Sequence, residues 1–320
     1  MRSQYLLITL GTILAFLAGI LLQRFYPIGE ILSQLGLRDL LPIPPNVPEN
    51  DPDYVPPNWD VPAEDRGQLM LFVLMGQSNM SGRGRLDSPV TPAPHPHIYT
   101  FNKDYRWYPA REPLGTVSSE VDWIATDGGT GVGPGLAFAH ALLEQDPTLK
   151  IGLIPCARGA SSIQEWQRDL SQNSLYGACL KRIRAATTYG TIAAVLFAQG
   201  ESDADNPDLY ADRILSAQDW DTKFIALTEA LRADLNSPGL PVLFTQLGHY
   251  IGDTDLPYWD TVKSRQSSVT LPWVAMIETD DLPLQTDTHF STESNVEIGR
   301  RFADAYLSLV AHYIDKMERR

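Results

Sequence analysis

Three short stretches of this 320-residue chain hold the side-chain types that acyl transfer needs. They are Gly76-Gln77-Ser78-Asn79, Gln199-Gly200-Glu201-Ser202-Asp203 and Asp287-Thr288-His289. A serine hydroxyl is a poor nucleophile at neutral pH unless a base takes its proton as it attacks. Histidine suits that task because its ordinary pKa is about 6.5. A carboxylate behind the imidazole fixes its tautomer and stabilises the imidazolium. The tetrahedral oxyanion needs preorganised donors, and losing one costs ~10²–10³ in turnover. Each residue also has a plainer reading. Ser78 after an apolar run reads as a helix N-cap, His289 as a loop histidine, and Glu201 and Asp203 as helix-capping acids. Their coincidence carries more than any single member. Among the other histidines, His95 and His97 sit in "PAPHPH" and His140 and His312 in helical patterns. His249 closes a strand and stays open as a candidate.

Rigid elements must bring these stretches together. Five apolar runs read as strands: "QLMLFVLMG", "KIGLIPCA", "TIAAVLFAQG", "PVLFTQLGHY" and "WVAMIETDD". Helical patterns separate them, namely "GPGLAFAHALLEQ", "LYGACLKRIRAAT" and "WDTKFIALTEALRADLN", and a last one, "STESNVEIGRRFADAYLSLVAHYIDKMER", closes the chain. That last helix opens with a capping-box pattern at Ser291-Thr292-Glu293. Continuous apolar strands alternating with helices predict an α/β fold with a parallel sheet covered on both faces. Such sheets bind ligands beyond the carboxyl ends of their strands. Ser78 follows the first strand, Gly159 the second, Gln199 and Glu201 the third, and His289 lies shortly after the last.

The rest of the chain bounds the partners. The net charge is −14 and the pI about 4.8, with no basic run, which argues against nucleic acid. Residues 1–27 carry an uncharged stretch, "YLLITLGTILAFLAGILL", that as a helix would span ~27 Å, close to a bilayer's hydrocarbon thickness. An uncleaved single-pass membrane anchor is the expectation and a cleaved signal the alternative. Residues 28–66 pass through a short amphipathic segment into the Pro-rich, acidic spacer "PIPPNVPENDPDYVPPNWDVPAEDR". Residues 67–320 form the globular domain, expected outside the cytoplasm. Cys156 and Cys179 show no zinc spacing. Buried and inert thiols are expected, with a bridge as the alternative if the domain is exported.

The blocks "GQSNMSGRG", "ARGASSIQEW", "FAQGESDAD" and "DTHFSTESNVEIGRRFADAY" resemble the sialate O-acetylesterase and acetylxylan esterase branch of the SGNH hydrolases, over about residues 68 to 316. The first and third blocks are specific and the second is loose. Met80 replaces the second glycine of a G-x-S-x-G elbow, so the α/β-hydrolase pattern does not apply. The resemblance implies a three-layer α/β/α, flavodoxin-like domain with about five parallel strands. It further implies removal of acetyl esters from carbohydrate with no metal or organic cofactor. Carried over by position, Ser78 is the nucleophile and His289 the general base. The N–H groups of Ser78 and Gly159 and the side chain of Gln199 form the oxyanion hole. Gln77, Asn79 and Glu201 stand where they would touch substrate or support the site. The family places its acid three residues before the histidine, where this chain has Thr286. Asp287 is the nearest carboxylate in sequence, Glu201 and the Asp280–Asp281 pair are alternatives, and a Ser–His dyad is another.

The small polar residues after Ser78 favour short acyl groups over long ones. Trp107, Tyr108, Trp123 and Trp166 are aromatic candidates for stacking on a sugar face, with core packing as the competing role. Two other functions remain open: an esterase of lipid or simple esters, and a non-catalytic sugar-binding module.

Overall fold

The computed structural model describes residues 59–115, 130–206, 208, 216–250, 252 and 256–319. The expected anchor, the amphipathic segment, residues 42–58 of the proline spacer and Trp123 lie outside the described residues. Among the described residues no helix is long and apolar enough to cross a membrane.

One seven-stranded sheet organises the domain, in the order β3-β2-β4-β1-β5-β6-β7. Its strands are β1 (Leu69–Gly76), β2 (Ile98–Phe101), β3 (Trp107–Pro109), β4 (Ile151–Pro155), β5 (Gly190–Ala198), β6 (Val242–Thr245) and β7 (Val274–Ile277). Six run parallel, and β3 pairs antiparallel with β2 at the edge. The five expected strands are β1, β4, β5, β6 and β7. The other two are only four and three residues long and follow the "PAPHPH" segment, which masks their short apolar pattern. Pro109 ends β3 on the open edge, where a missing N–H costs no ladder bond.

Helices cover both faces: α1 (Ser78–Ser81), α2 (Pro134–Gln145), α3 (Leu175–Ala186), α4 (Trp220–Asp234), α5 (Trp259–Ser268) and α6 (Thr292–Glu318). Alternate strand residues feed two cores. Phe72 and Leu74 of β1, Leu196 of β5 and Leu243 of β6 pack with Leu136 and Phe138 of α2 and Phe302 and Tyr306 of α6. On the other face Phe197 and Phe244 form an aromatic cluster with Trp220 and Phe224 of α4. The result is the expected three-layer SGNH-type fold, with two more strands than the sequence pattern predicts.

Two local expectations change. Ser291 does cap α6, its Oγ accepting the Ser294 N–H at 3.2 Å, but the third helical residue is serine rather than glutamate, and Glu293 instead accepts a hydrogen bond from Ser88. The compact unit begins at Asp60 rather than 67, because Asp60 and Asp65 accept the hydroxyls of Tyr189 and Tyr99 at 2.8 and 2.6 Å.

Candidate active site

The central strand β1 delivers the candidate nucleophile. At its end Gly76 adopts φ +124, and a Cβ there would lie 2.0 Å from the Ala198 carbonyl oxygen. Only glycine lets the chain pass so close over the end of β5. The Gln77 N–H donates to that same Ala198 oxygen at 2.8 Å, and the chain turns into α1. Gln77 occupies the N-cap position and Ser78 the first helical position. The Ser78 hydroxyl is thus not a cap. It meets His289 Nε2 at 3.0 Å.

On the far side of the ring, His289 Nδ1 is 3.1 Å from Thr286 Oγ1, which also accepts the His289 main-chain N–H at 3.2 Å. With Nδ1–H donating to Thr286, Nε2 is left to accept the serine proton, the tautomer that base catalysis requires. Thr286 therefore occupies at Nδ1 the place that the resemblance gives to an acid. Asp287 sits exposed on the pocket wall nearby.

That pocket has a volume of about 780 Å³ and is walled by Gln77, Ser78, Arg83, Gly159, Glu201, Asp287 and His289, among others. Gly159 adjoins Ala160, held at φ +57, a left-handed conformation uncommon for alanine and worth noting at a site wall. The Ser78 N–H, at the first position of a helix, has no intrahelical acceptor. Gln199 stands elsewhere. It is buried beneath the wall, its amide nitrogen donating to Ser161 O at 3.0 Å and Asp203 Oδ2 at 2.5 Å, while Oε1 accepts from Trp220 Nε1 at 2.8 Å. The side-chain amide on the wall is that of Gln77. Its Oε1 accepts the N–H groups of Gly200 and Ser202 at 3.4 and 3.3 Å and the Gln199 amide at 3.3 Å. The expected side-chain donor thus orients its neighbour, because its own hydrogens are spent below.

Two buried carboxyls underlie this arrangement. Asp203 accepts the N–H groups of Ile163 and Ser216, at 2.7 and 2.8 Å, as well as the Gln199 amide, so it ties three loops together. Burial pushes its carboxyl up to about 6 despite those donors. Glu201, whose Oε1 accepts from Asn79 Nδ2, is also pushed up to about 6 by burial. Its other oxygen, Oε2, is buried without a hydrogen-bond partner.

Residues 68–308 match the family described as carbohydrate esterase, sialic acid-specific acetylesterase. The chain belongs to this family. It is accordingly a carbohydrate acetylesterase by class. A probable carbohydrate esterase from Arabidopsis thaliana is 36% identical over 272 residues, covering 77% of this chain and 96% of that protein. Its crystal structure superposes with a TM-score of 0.62 at 34% identity, over 75% of this chain and 98% of that one. The structure of NanS matches in fold, with a TM-score of 0.57 at 18% identity, over 78% of this chain and 99% of that one. A carbohydrate acetylesterase from Xanthomonas citri likewise matches in fold, at 0.54 and 20% identity, over 74% of this chain and 55% of the other.

For this carbohydrate esterase several expectations drawn from residue type do not hold. Trp107 and Trp166 are buried in the core, and Tyr108 bonds Asp104 at 2.6 Å, so these three are framework rather than pocket aromatics. Cys156 and Cys179 form a disulfide between the end of β4 and α3. Apolar flanks favoured free thiols, but they report burial alone, and burial is equally the environment of a bridge. Thr286 was passed over because it lacks a charge. Its signal lay in its position, three residues before the histidine.

Proposed function

We propose that the chain is a serine esterase that removes O-acetyl groups from a neutral carbohydrate through a covalent acyl-enzyme. The observation that carries this is the 3.0 Å contact of Ser78 Oγ with His289 Nε2 at the wall of a sugar-sized pocket. In the first half-reaction Nε2 takes the hydroxyl proton as Oγ bonds to the acetyl carbonyl carbon. The carbonyl π electrons move to oxygen, where the Ser78 and Gly159 N–H groups and the Gln77 amide are the candidate donors. Collapse expels the sugar alkoxide, which takes the proton from the imidazolium. Water then repeats the sequence on the acetyl-serine and releases acetate. Thr286 holds the imidazole orientation throughout, and Asp287, on the same wall, is the nearest exposed carboxylate to the developing imidazolium in sequence.

Charge favours a neutral sugar. The described wall carries the carboxyl groups of Glu201, Asp205 and Asp287 against the single guanidinium of Arg83. The whole chain adds a net −14. An acidic sugar entering this site meets repulsion that a neutral one does not. Arg83 supports the second reading, an acidic sugar whose carboxylate it pairs, as the family description would suggest.

The Cys156–Cys179 bridge favours an oxidising compartment, so we place the working domain outside the cytoplasm. The deciding experiment is acetate release by the full chain from acetylated xylan, an acetylated sialic acid and an aryl acetate, with Ser78→Ala as control. Release from xylan and the aryl ester that vanishes in the variant supports the reading. Preference for the sialic acid transfers it to the second reading. No release from any of them by the folded chain sinks both.

A further inference from the structure

We infer that Asn79 and Glu201 form a clamp that holds His289 in register with Ser78, doing for the base what a buried acid at Nδ1 does in a Ser–His–Asp triad. This rests on the esterase reading above. Asn79 directly follows the nucleophile, yet both ends of its side chain are turned to the base loop. Its Nδ2 donates to the Thr288 carbonyl oxygen at 2.8 Å, and its Oδ1 accepts the Phe290 N–H at 3.2 Å. The two residues that flank His289 are thereby gripped by one amide. Glu201 Oε1 accepts the second Nδ2 hydrogen. An amide whose two ends are engaged with opposite polarity can take only one orientation, so Glu201 fixes which way Asn79 faces.

Three further facts make this a device for the base rather than a generic buried network. Thr286 and Asp287, the residues before Thr288, are exposed, so the loop lacks packing of its own on that side. Thr286 brings a neutral hydroxyl to Nδ1, a weaker anchor for the ring than a charged acceptor. Glu201 is only 7% exposed, and its side-chain partner is the Asn79 amide, so its burial places an acceptor where it orients that amide. Glu201 follows β5 and Asn79 follows β1, which are adjacent strands. The clamp thus transfers the rigidity of the sheet centre to a loop at its edge.

The test compares Asn79→Ala, Glu201→Leu and Glu201→Gln with wild type in the full chain. Two readouts are taken: kcat and KM on an aryl acetate, and the rate at which a fluorophosphonate labels Ser78, followed by intact mass. Asn79→Ala and Glu201→Leu should lower kcat and the labelling rate together by about 10²-fold, as a displaced catalytic group does, with KM within a factor of about two. Glu201→Gln, which keeps an oxygen acceptor for Asn79, should recover most of that loss. Melting temperatures separate a misplaced base from a misfolded chain. Loss confined to KM would make Glu201 a substrate contact and overturn the clamp. Equal loss in Glu201→Gln and Glu201→Leu would overturn it too, because charge and not orientation would then be the agent. A wild type that labels but releases no acetate would sink the esterase reading while the labelling ratios still judge the clamp. A wild type that neither labels nor hydrolyses overturns both.

Discussion

Ser78 and His289 meet at 3.0 Å on supports of opposite kind. Ser78 follows the central strand β1, flanked by β4 and β5, seven of whose eight residues are buried. His289 rides the connection between the edge strand β7 and α6, where Gln285, Thr286 and Asp287 are exposed. Local bonds shape that connection: the Gln285 N–H donates to His289 O at 2.8 Å, and Leu284 and Phe290 form an isolated bridge. The nucleophile is therefore placed by the global packing of the fold, and the base by a handful of hydrogen bonds. Substitutions beneath the nucleophile should move stability and activity together, whereas substitutions at the exposed residues of the base loop should move activity alone.

The largest effects test the pairing itself. Ser78→Ala and His289→Ala should each lower kcat by about 10⁴-fold or more, and the double variant should cost little beyond either single one, as residues acting as a unit do. Additive losses in steady-state assays would mean that the two do not share a step. Gly76→Ala comes next and tests the nucleophile arm. Its Cβ would lie 2.0 Å from the Ala198 oxygen, so β1 and β5 must part. Denaturant melts should show a loss of about 3 kcal/mol or more, with activity falling in parallel. Unchanged stability with lost activity would erase the distinction between the arms. Cys179→Ala removes a bridge closed across 23 residues and should cost about 3 kcal/mol. Because Cys156 lies three residues before Gly159, some activity should go with it.

The same contrast governs how much of the molecule was legible in the sequence. The parallel sheet was, because β1, β4, β5, β6 and β7 are continuous apolar runs, and a strand buried on both faces has no other way to look. Ser78, Gly159 and His289 were placed at the pocket because strand ends converge in this topology. What sequence could not show was which polar atom faces which neighbour. Gln199 and Gln77 are both amides at strand ends, and only the donors around each decide that one is spent below the wall and the other lies on it. Asp287 drew attention by its charge, and the structure adds Thr286, one residue earlier, whose uncharged hydroxyl reaches Nδ1 by loop geometry that residue type does not reveal. The clamp residues lie 122 positions apart, a pairing that no local pattern encodes.

Glu201 offers a test of what the clamp costs. In the folded chain its carboxyl keeps its proton up to about pH 6, against an ordinary value of 4.5. The folded state therefore binds the proton more tightly than the unfolded state. The stability Glu201 contributes is fully present below pH 4.5 and is lost as pH rises through 6. Glu201→Gln does not titrate. Its stability relative to wild type should climb between pH 4 and 7 by about 2 kcal/mol and then level off. A flat difference across that range would show that Glu201 is not held neutral by burial.

The smallest effect is the most informative about the base arm. Thr286→Val keeps the shape of the side chain and removes the oxygen from Nδ1. If that hydroxyl orients the imidazole, kcat should fall about tenfold, the equivalent of one ordinary hydrogen bond, with the melting temperature almost unchanged because the residue is exposed. Thr286→Asp puts a carboxylate at the same position, where it would stabilise the imidazolium as well as orient it. If Asp287 already supplies that charge, Thr286→Asp should add nothing to the pH–rate profile of kcat/KM. If it does not, the variant should raise the lower pKa of that profile, since an anion at Nδ1 favours the protonated ring. The presence or absence of that one upward shift therefore decides whether the active site works as a dyad held by a hydroxyl or as a triad whose acid enters from the neighbouring residue.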